Sequence, residues 1–170
     1  MSGILNAVVV YSSRYGNTER IARSFEKGLR DAGLQTTCLD TQKVDSQTLS
    51  RYDLLCVAGP TEWTSASKQM KEFLRSLKGT SLSGKFGFAF DTKLGSPLSG
   101  SAAKYIERTL SDLGVKMVAP RESAIVSNRR GGSSTPGAVL KEGEEARFEG
   151  IGLRVGALAT RAAQKNLPSA

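Results

Sequence analysis

The residues best suited to chemistry lie between positions 8 and 25, VVVYSSRYGNTERIARSF. The apolar run Val8, Val9, Val10, Tyr11 leads straight into Ser12, Ser13, Arg14, Tyr15, Gly16, Asn17 and Thr18, and a helical pattern begins at once. This is a buried strand, a tight turn and a helix N-terminus in one stretch. Such a turn presents backbone N–H groups that have no intrahelical partner, together with the positive end of a helix dipole. A phosphate is the natural occupant. Ser12, Ser13, Asn17 and Thr18 add side-chain donors, and Gly16 lets the backbone approach closely. The chain has no histidine, so a histidine metal site or general base is excluded. No catalytic acid–base pair or activated nucleophile stands out.

The elements that must position this turn follow from hydrophobic periodicity. Strands are read at 4–11, 34–39, 53–58 and 85–90, with Gly59 and Pro60 stopping the third. A fifth strand begins at Val115 and resumes at 123–126 after a break at Pro120. Helices are read at 17–32, 67–77, 99–113 and 141–164, and a short one is open within 40–50. Ile21, Ala22, Phe25, Leu29 and Ala32 give the first helix its apolar face. Strands that alternate with helices imply parallel pairing through right-handed crossovers. The expectation is an α/β, doubly wound, five-stranded parallel sheet of order 2-1-3-4-5 in three layers, as a single domain over residues 1–170.

Composition narrows the class. A chain of 170 residues suits one domain with a real core, and no apolar run approaches the length of a membrane span. The N-terminus lacks the basic region and cleavage site of a signal peptide. Cys38 and Cys56 fall in apolar runs and read as buried free thiols, which suits a cytoplasmic protein. The formal net charge of +8 is shared by both halves of the chain, which points to an acidic partner or to anionic ligands, or simply to a basic soluble surface. Neither a nucleic-acid recognition motif nor a basic stripe interleaved with aromatics is apparent.

The stretch from Val9 to Thr18 also resembles the signature of the flavodoxin-like family: two aliphatic residues, an aromatic, a spacer, Ser or Thr, two spacers, a small residue, a spacer and Thr. Ala22 continues the pattern, and Phe25 replaces an aliphatic residue at a helix-face position where Phe also packs. The variant S-x-Y-G-x-T is closer to WrbA-like and flavodiiron-type members than to short-chain electron carriers. The resemblance implies that this loop holds the phosphate of FMN.

In a sheet of this order the ligand lies beyond the carboxyl ends of strands 1 and 3, where three loops meet. They span 12–18, 60–66 and 91–100. The resemblance implies that the second loop, with Pro60, Thr61, Glu62 and Trp63, covers one flavin face, Trp63 stacking on the ring. The third offers Asp91, Thr92, Lys93, Leu94 and Gly95 to the ring's polar edge, and it has no aromatic. That leaves the outer face open or covered by a second subunit of a homo-oligomer. Lys93 reads either as a cation for reduced flavin or as a solvated lysine.

The implied function is FMN-dependent electron transfer with an acidic ferredoxin- or reductase-type partner. Two alternatives stay open: a WrbA-like NAD(P)H:quinone oxidoreductase, and a basic interaction module that has lost FMN. Arg129 and Arg130, in the Gly- and Ser-rich segment 128–137, are a candidate docking point for the partner or a solubilising loop.

Overall fold

A computed structural model describes residues 3–127 and 137–169. The Arg129–Arg130 pair lies outside the described residues. In chain order the elements are β1 (Asn6–Tyr11), α1 (Asn17–Asp31), β2 (Gln35–Asp40), β3 (Leu54–Glu62), β4 (Ser65–Ala66), α2 (Lys68–Ser76), β5 (Phe86–Leu94), α3 (Ala102–Asp112), β6 (Lys116–Met117), β7 (Glu122–Ser127), β8 (Val139–Leu140) and α4 (Glu144–Lys165). The stretch between β2 and β3 forms two 3-10 turns, Thr41–Lys43 and Ser46–Arg51.

The sheet runs β2-β1-β3-β5-β7, all parallel, and β8 closes the edge antiparallel to β7. This is the doubly wound order expected from the alternation of strands and helices. The fifth strand is interrupted as anticipated around Pro120: β6 pairs with the start of β5, and β7 with its end. β8 had no sequence signal, being two residues long.

Two strands are longer than their sequence implies. β3 does not stop at Gly59 and Pro60 but continues to Glu62, and β5 does not stop at Phe90 but continues to Leu94. The reason is pairing. Gly59 and Pro60 lie opposite Asp91 and Thr92, β7 runs beside Phe90 to Leu94, and β4 folds back on Thr61 and Glu62. These neighbouring strands supply ladder pairing that local turn propensity does not outweigh.

Helices α1 and α4 cover one face of the sheet, and α2 and α3 cover the other. On the first face Phe86, Phe88 and Phe90 alternate inward from β5, as a strand's period of two requires. Phe25 stacks on Phe88 at 5.4 Å between ring centroids and lies 4.7 Å from Phe90, and Phe148 of α4 lies 5.4 Å from Phe90. The Phe that departs from the family pattern is therefore a core residue.

α1 and α4 approach so closely that their contact admits only small residues. A Cβ on Gly28 would fall on the carbonyl oxygen of Glu149, and one on Gly152 on that of Phe25. One on Gly156 would lie 2.6 Å from the Cβ of Ala32. Gly150, on the exposed side of α4, has open space around it. Gly152→Ala should therefore lower the unfolding free energy by at least about 2 kcal/mol by forcing two backbones apart. Gly150→Ala should raise it by about 0.5–1 kcal/mol by removing helix-interior glycine entropy. Urea denaturation of the two variants against wild type measures both signs.

Candidate functional site

The loop after β1 is short because β1 delivers Ser12 directly into the sheet. The Ser12 N–H donates to the Ala58 carbonyl at 3.0 Å, so Ser12 still pairs with β3. Its side chain is 1% exposed, and its Oγ has no hydrogen-bond partner. A buried hydroxyl without a partner costs about 1–3 kcal/mol, so the position calls for an acceptor or donor from outside the chain. Ser13 Oγ accepts from the Gly16 N–H at 3.1 Å and so closes the turn on itself. Gly16 is the helix N-cap, with φ 94°, a left-handed conformation natural to glycine.

No side chain caps α1. The first-turn N–H groups of Asn17, Thr18 and Glu19 thus remain for a ligand, at the positive end of the dipole. Asn17 and Thr18 do not offer their side chains freely. Asn17 Nδ2 donates to the Ala138 carbonyl at 2.8 Å, which ties the turn to the segment before β8. Thr18 Oγ1 and Thr92 Oγ1 share a buried hydrogen bond of 2.8 Å. Arg14 and Tyr15 are exposed, with the guanidinium 5.3 Å from the Tyr15 ring. The anion-binding character of this loop therefore rests on Ser12 Oγ, backbone N–H groups and Arg14.

The second loop is the tip of the β3–β4 hairpin. Pro60 and Thr61 are buried in it, Glu62 is half-buried, and Trp63 is 97% exposed. Trp63 and Thr64 both take left-handed backbone angles, φ 47° and 71°. These are uncommon for such side chains and mark a tight, tied-down turn. What ties it is the third loop: Thr64 bridges to Gly100, and the Ser101 N–H donates to the Thr64 carbonyl at 3.2 Å. Trp63 is thus presented to solvent on a constrained tip, not folded back on the domain surface.

The expected third loop, 91–100, begins only after Leu94. Asp91 and Thr92 lie inside β5, with Asp91 fully buried. Lys93 and Leu94 are half-buried, and Gly95 is exposed at the start of the loop proper. Asp91 is consequently not a solvent-facing ring-edge group. Its Oδ2 accepts from Thr61 Oγ1 at 3.1 Å, Ser101 Oγ at 2.7 Å and the Ala103 N–H at 2.9 Å. Thr61 Oγ1 in turn accepts from the Ala102 N–H at 2.9 Å. One carboxylate thereby joins β3, β5 and the N-terminus of α3. Ser101 and the α3 N-terminus carry this latch, and sequence reading passed them over. Their one local signal was a serine at the N-cap position of α3.

The two thiols take no part in the site. Burial pushes the Cys38 thiol up to about 12, helped by Glu26, and Cys56 is raised well above its usual range for the same reason. Both stay protonated at neutral pH and are unreactive.

This arrangement has counterparts among known proteins. The sequence model of the flavodoxin family matches residues 9–149. The chain belongs to the flavodoxin family. A flavodoxin of Clostridium saccharobutylicum is 31% identical over 85 residues, which are 49% of this chain and 53% of that protein. The chain thus matches about half the length of that curated relative. Among solved structures, a flavodoxin from the domain Archaea superposes with a TM-score of 0.73 at 19% identity, over 92% of this chain and 99% of that one. Oxidised Flavodoxin 1 from Bacillus cereus gives 0.71 at 18%, over 96% and 99%. The flavodiiron protein from Giardia intestinalis gives 0.70 at 20%, over 96% of this chain and 38% of that one. At these identities the structural likeness is one of fold. No helix among the described residues is long and apolar enough to cross a membrane.

The Asp91 latch sits between the second and third loops. Asp91→Ala should cost about 2–4 kcal/mol of stability, because it removes the acceptor on which the Ser101 hydroxyl, the Ala103 N–H and the Thr61 hydroxyl converge. Amide hydrogen exchange should rise first at residues 61–66 and 99–103, and thermal unfolding monitored by circular dichroism gives the total loss.

Proposed function

We propose that this flavodoxin binds FMN at the carboxyl ends of β1, β3 and β5 and serves in electron transfer with a redox partner protein. The observation that carries the reading is the buried, unpartnered Ser12 Oγ beside the uncapped N-terminus of α1. Hydroxyl, N–H groups and helix dipole converge where a phosphate monoester satisfies all of them. The flavodoxin family binds FMN, and the residues present suit its phosphate.

When bound, FMN supplies the redox chemistry, and the protein binds and orients it. Ser12, Ser13, Gly16, Asn17 and Thr18 hold the phosphate. Ser12 contributes its side chain, the first-turn residues contribute backbone N–H groups, and Arg14 adds charge. Trp63, on its constrained tip, stacks on the ring, with Pro60, Thr61 and Glu62 building the tip. Thr92, Lys93, Leu94 and Gly95 border the polar edge, while Asp91 acts from beneath by fixing both ring loops. No aromatic covers the exposed stretch from Gly95 to Leu98. This leaves the outer edge accessible to a partner, and it is also what an NAD(P)H:quinone oxidoreductase would need.

FMN should bind far more tightly than riboflavin, which lacks the phosphate, and equal affinities by fluorescence titration would overturn the reading. Ser12→Ala makes a sharper test. It should weaken FMN by about 1–3 kcal/mol while leaving the flavin-free protein as stable as wild type or more so, because it removes an unsatisfied hydroxyl. The emission of Trp63, the only tryptophan, should be quenched as FMN is added. In stopped-flow absorbance, NADPH alone should reduce the loaded protein slowly. Rapid reduction with repeated quinone turnover would establish the enzyme instead.

A further inference from the structure

The two faces of the folded chain differ in how their cations are paired. Arg161 and Lys165 aside, the cations of α1 and α4 have acidic partners. Arg20 pairs with Glu145 and Lys27 with Glu149, Arg30 meets Glu26 at 2.7 Å, and Arg147 meets Glu144 at 2.8 Å. On the α2/α3 face they do not. Lys71, Arg75, Lys78, Lys104 and Arg108 form no ion pair among the described residues, and Lys68 reaches Glu72 only at 3.9 Å, with both groups well solvated. Cations without an acidic partner are therefore more numerous on this side of the sheet, where residues 68–78 and 102–112 carry six cations against three acids.

The free cations are also ordered in space. Lys68, Lys71, Arg75 and Lys78 recur at helical spacing, so they line one side of α2 and its C-terminal extension. Lys71 Nζ stands 5.2 Å from the Tyr105 ring centroid, which links this row to Lys104 and Arg108 on α3. The upper end of the row adjoins the proposed flavin site: Trp63, Ser65, Lys68, Lys71 and Arg75 line one recess. Beside it, Leu98 is 88% exposed on the loop bridged to the Trp63 tip. An apolar and aromatic spot next to unpaired Arg and Lys is the make-up of a protein interface. Unpaired surface charge supplies steering over the distance of a Debye length.

We propose that the α2–α3 ridge docks an acidic protein surface and so sets an electron-transfer partner against the Trp63–Leu98 rim. This deepens the electron-transfer reading and rests on it. A protein fits better than a nucleic acid. Exposed Glu72 and Asp112 flank the row, where they would repel a phosphate backbone yet fix register against a mixed protein surface. Tyr105 along the row and Trp63 at its upper end are too few for a run of stacked bases.

The test uses the isotope-labelled, flavin-free protein titrated with an acidic plant-type [2Fe–2S] ferredoxin as probe, at low and at high salt. Amide shifts should map to α2, α3 and the Trp63 indole and vanish at high salt. The combined variant Lys71→Glu, Arg75→Glu, Lys78→Glu should weaken binding at least about tenfold at low salt and flatten its salt dependence. Arg161→Glu with Lys165→Glu, beside Phe86 at the amino ends of the strands, should bind as wild type does. Shifts absent from the ridge, or an equal loss in the control variant, would overturn the proposal. So would a short DNA duplex that binds through the same cations where the ferredoxin does not. FMN titrations of the same proteins separate the two readings, since loss of flavin binding would strike the proposed cofactor and leave the docking result standing.

Discussion

The rim of this protein depends on one buried carboxylate. Asp91 lies inside β5, fully enclosed, and three donors from two other segments converge on its Oδ2, while its Oδ1 has no partner. A charge in such a place is tolerable only when it is hydrogen-bonded, and here the N-terminal end of α3 also faces it with its dipole. The constraint acts both ways. The carboxylate needs Thr61, Ser101 and the α3 N-terminus where they are, and they hold β3, β5 and α3 in register at the point where loops must be rigid. The left-handed Trp63 and Thr64 are affordable strain because the Thr64–Gly100 bridge and this latch determine the turn from both sides.

The loop after β1 is secured by different means. Asn17 reaches across to Ala138, and Thr18 pairs with Thr92 inside the core, so these side chains anchor the turn without engaging the first-turn N–H groups of α1. Ser12 is left as the exception, a buried hydroxyl with nothing to bond. Asp91 Oδ1 is the other buried polar atom at this rim without a partner, but only Ser12 stands beside the uncapped N-terminus of α1. Behind it, the near contact of α1 and α4 through Gly28, Gly152 and Gly156 brings the Phe25, Phe88, Phe90 and Phe148 rings together and fixes the helix whose N-terminus forms the loop.

The two faces of the sheet differ in how they treat charge. Where α1 and α4 pack side by side, cations of one helix meet carboxylates of the other, and each pair is worth little by itself but neutralises the face. α2 and α3 bring cations to a shared ridge with few acids in reach. Paired cations therefore predominate on one side and unpaired ones on the other, and the unpaired ones border the candidate site.

Much of this was legible in the chain. The run from Val8 to Thr18 encodes strand, turn and helix start locally, through apolar continuity, small residues and a glycine free to take a positive φ. Period-two and helical patterning set the parallel order of the sheet and the inner faces of the helices, Phe25 included. Strand ends were not legible. Gly59, Pro60 and Asp91 carry turn signals, yet the ladder continues past them because β5 pairs with Gly59 and Pro60, and both β3 and β7 flank Asp91. The role of Asp91, the engagement of Thr18 with Thr92 and the sorting of paired from unpaired cations were likewise decided by tertiary structure. Propensity and periodicity act over a few residues, whereas a buried hydrogen bond or an ion pair depends on which distant segments the fold brings within reach.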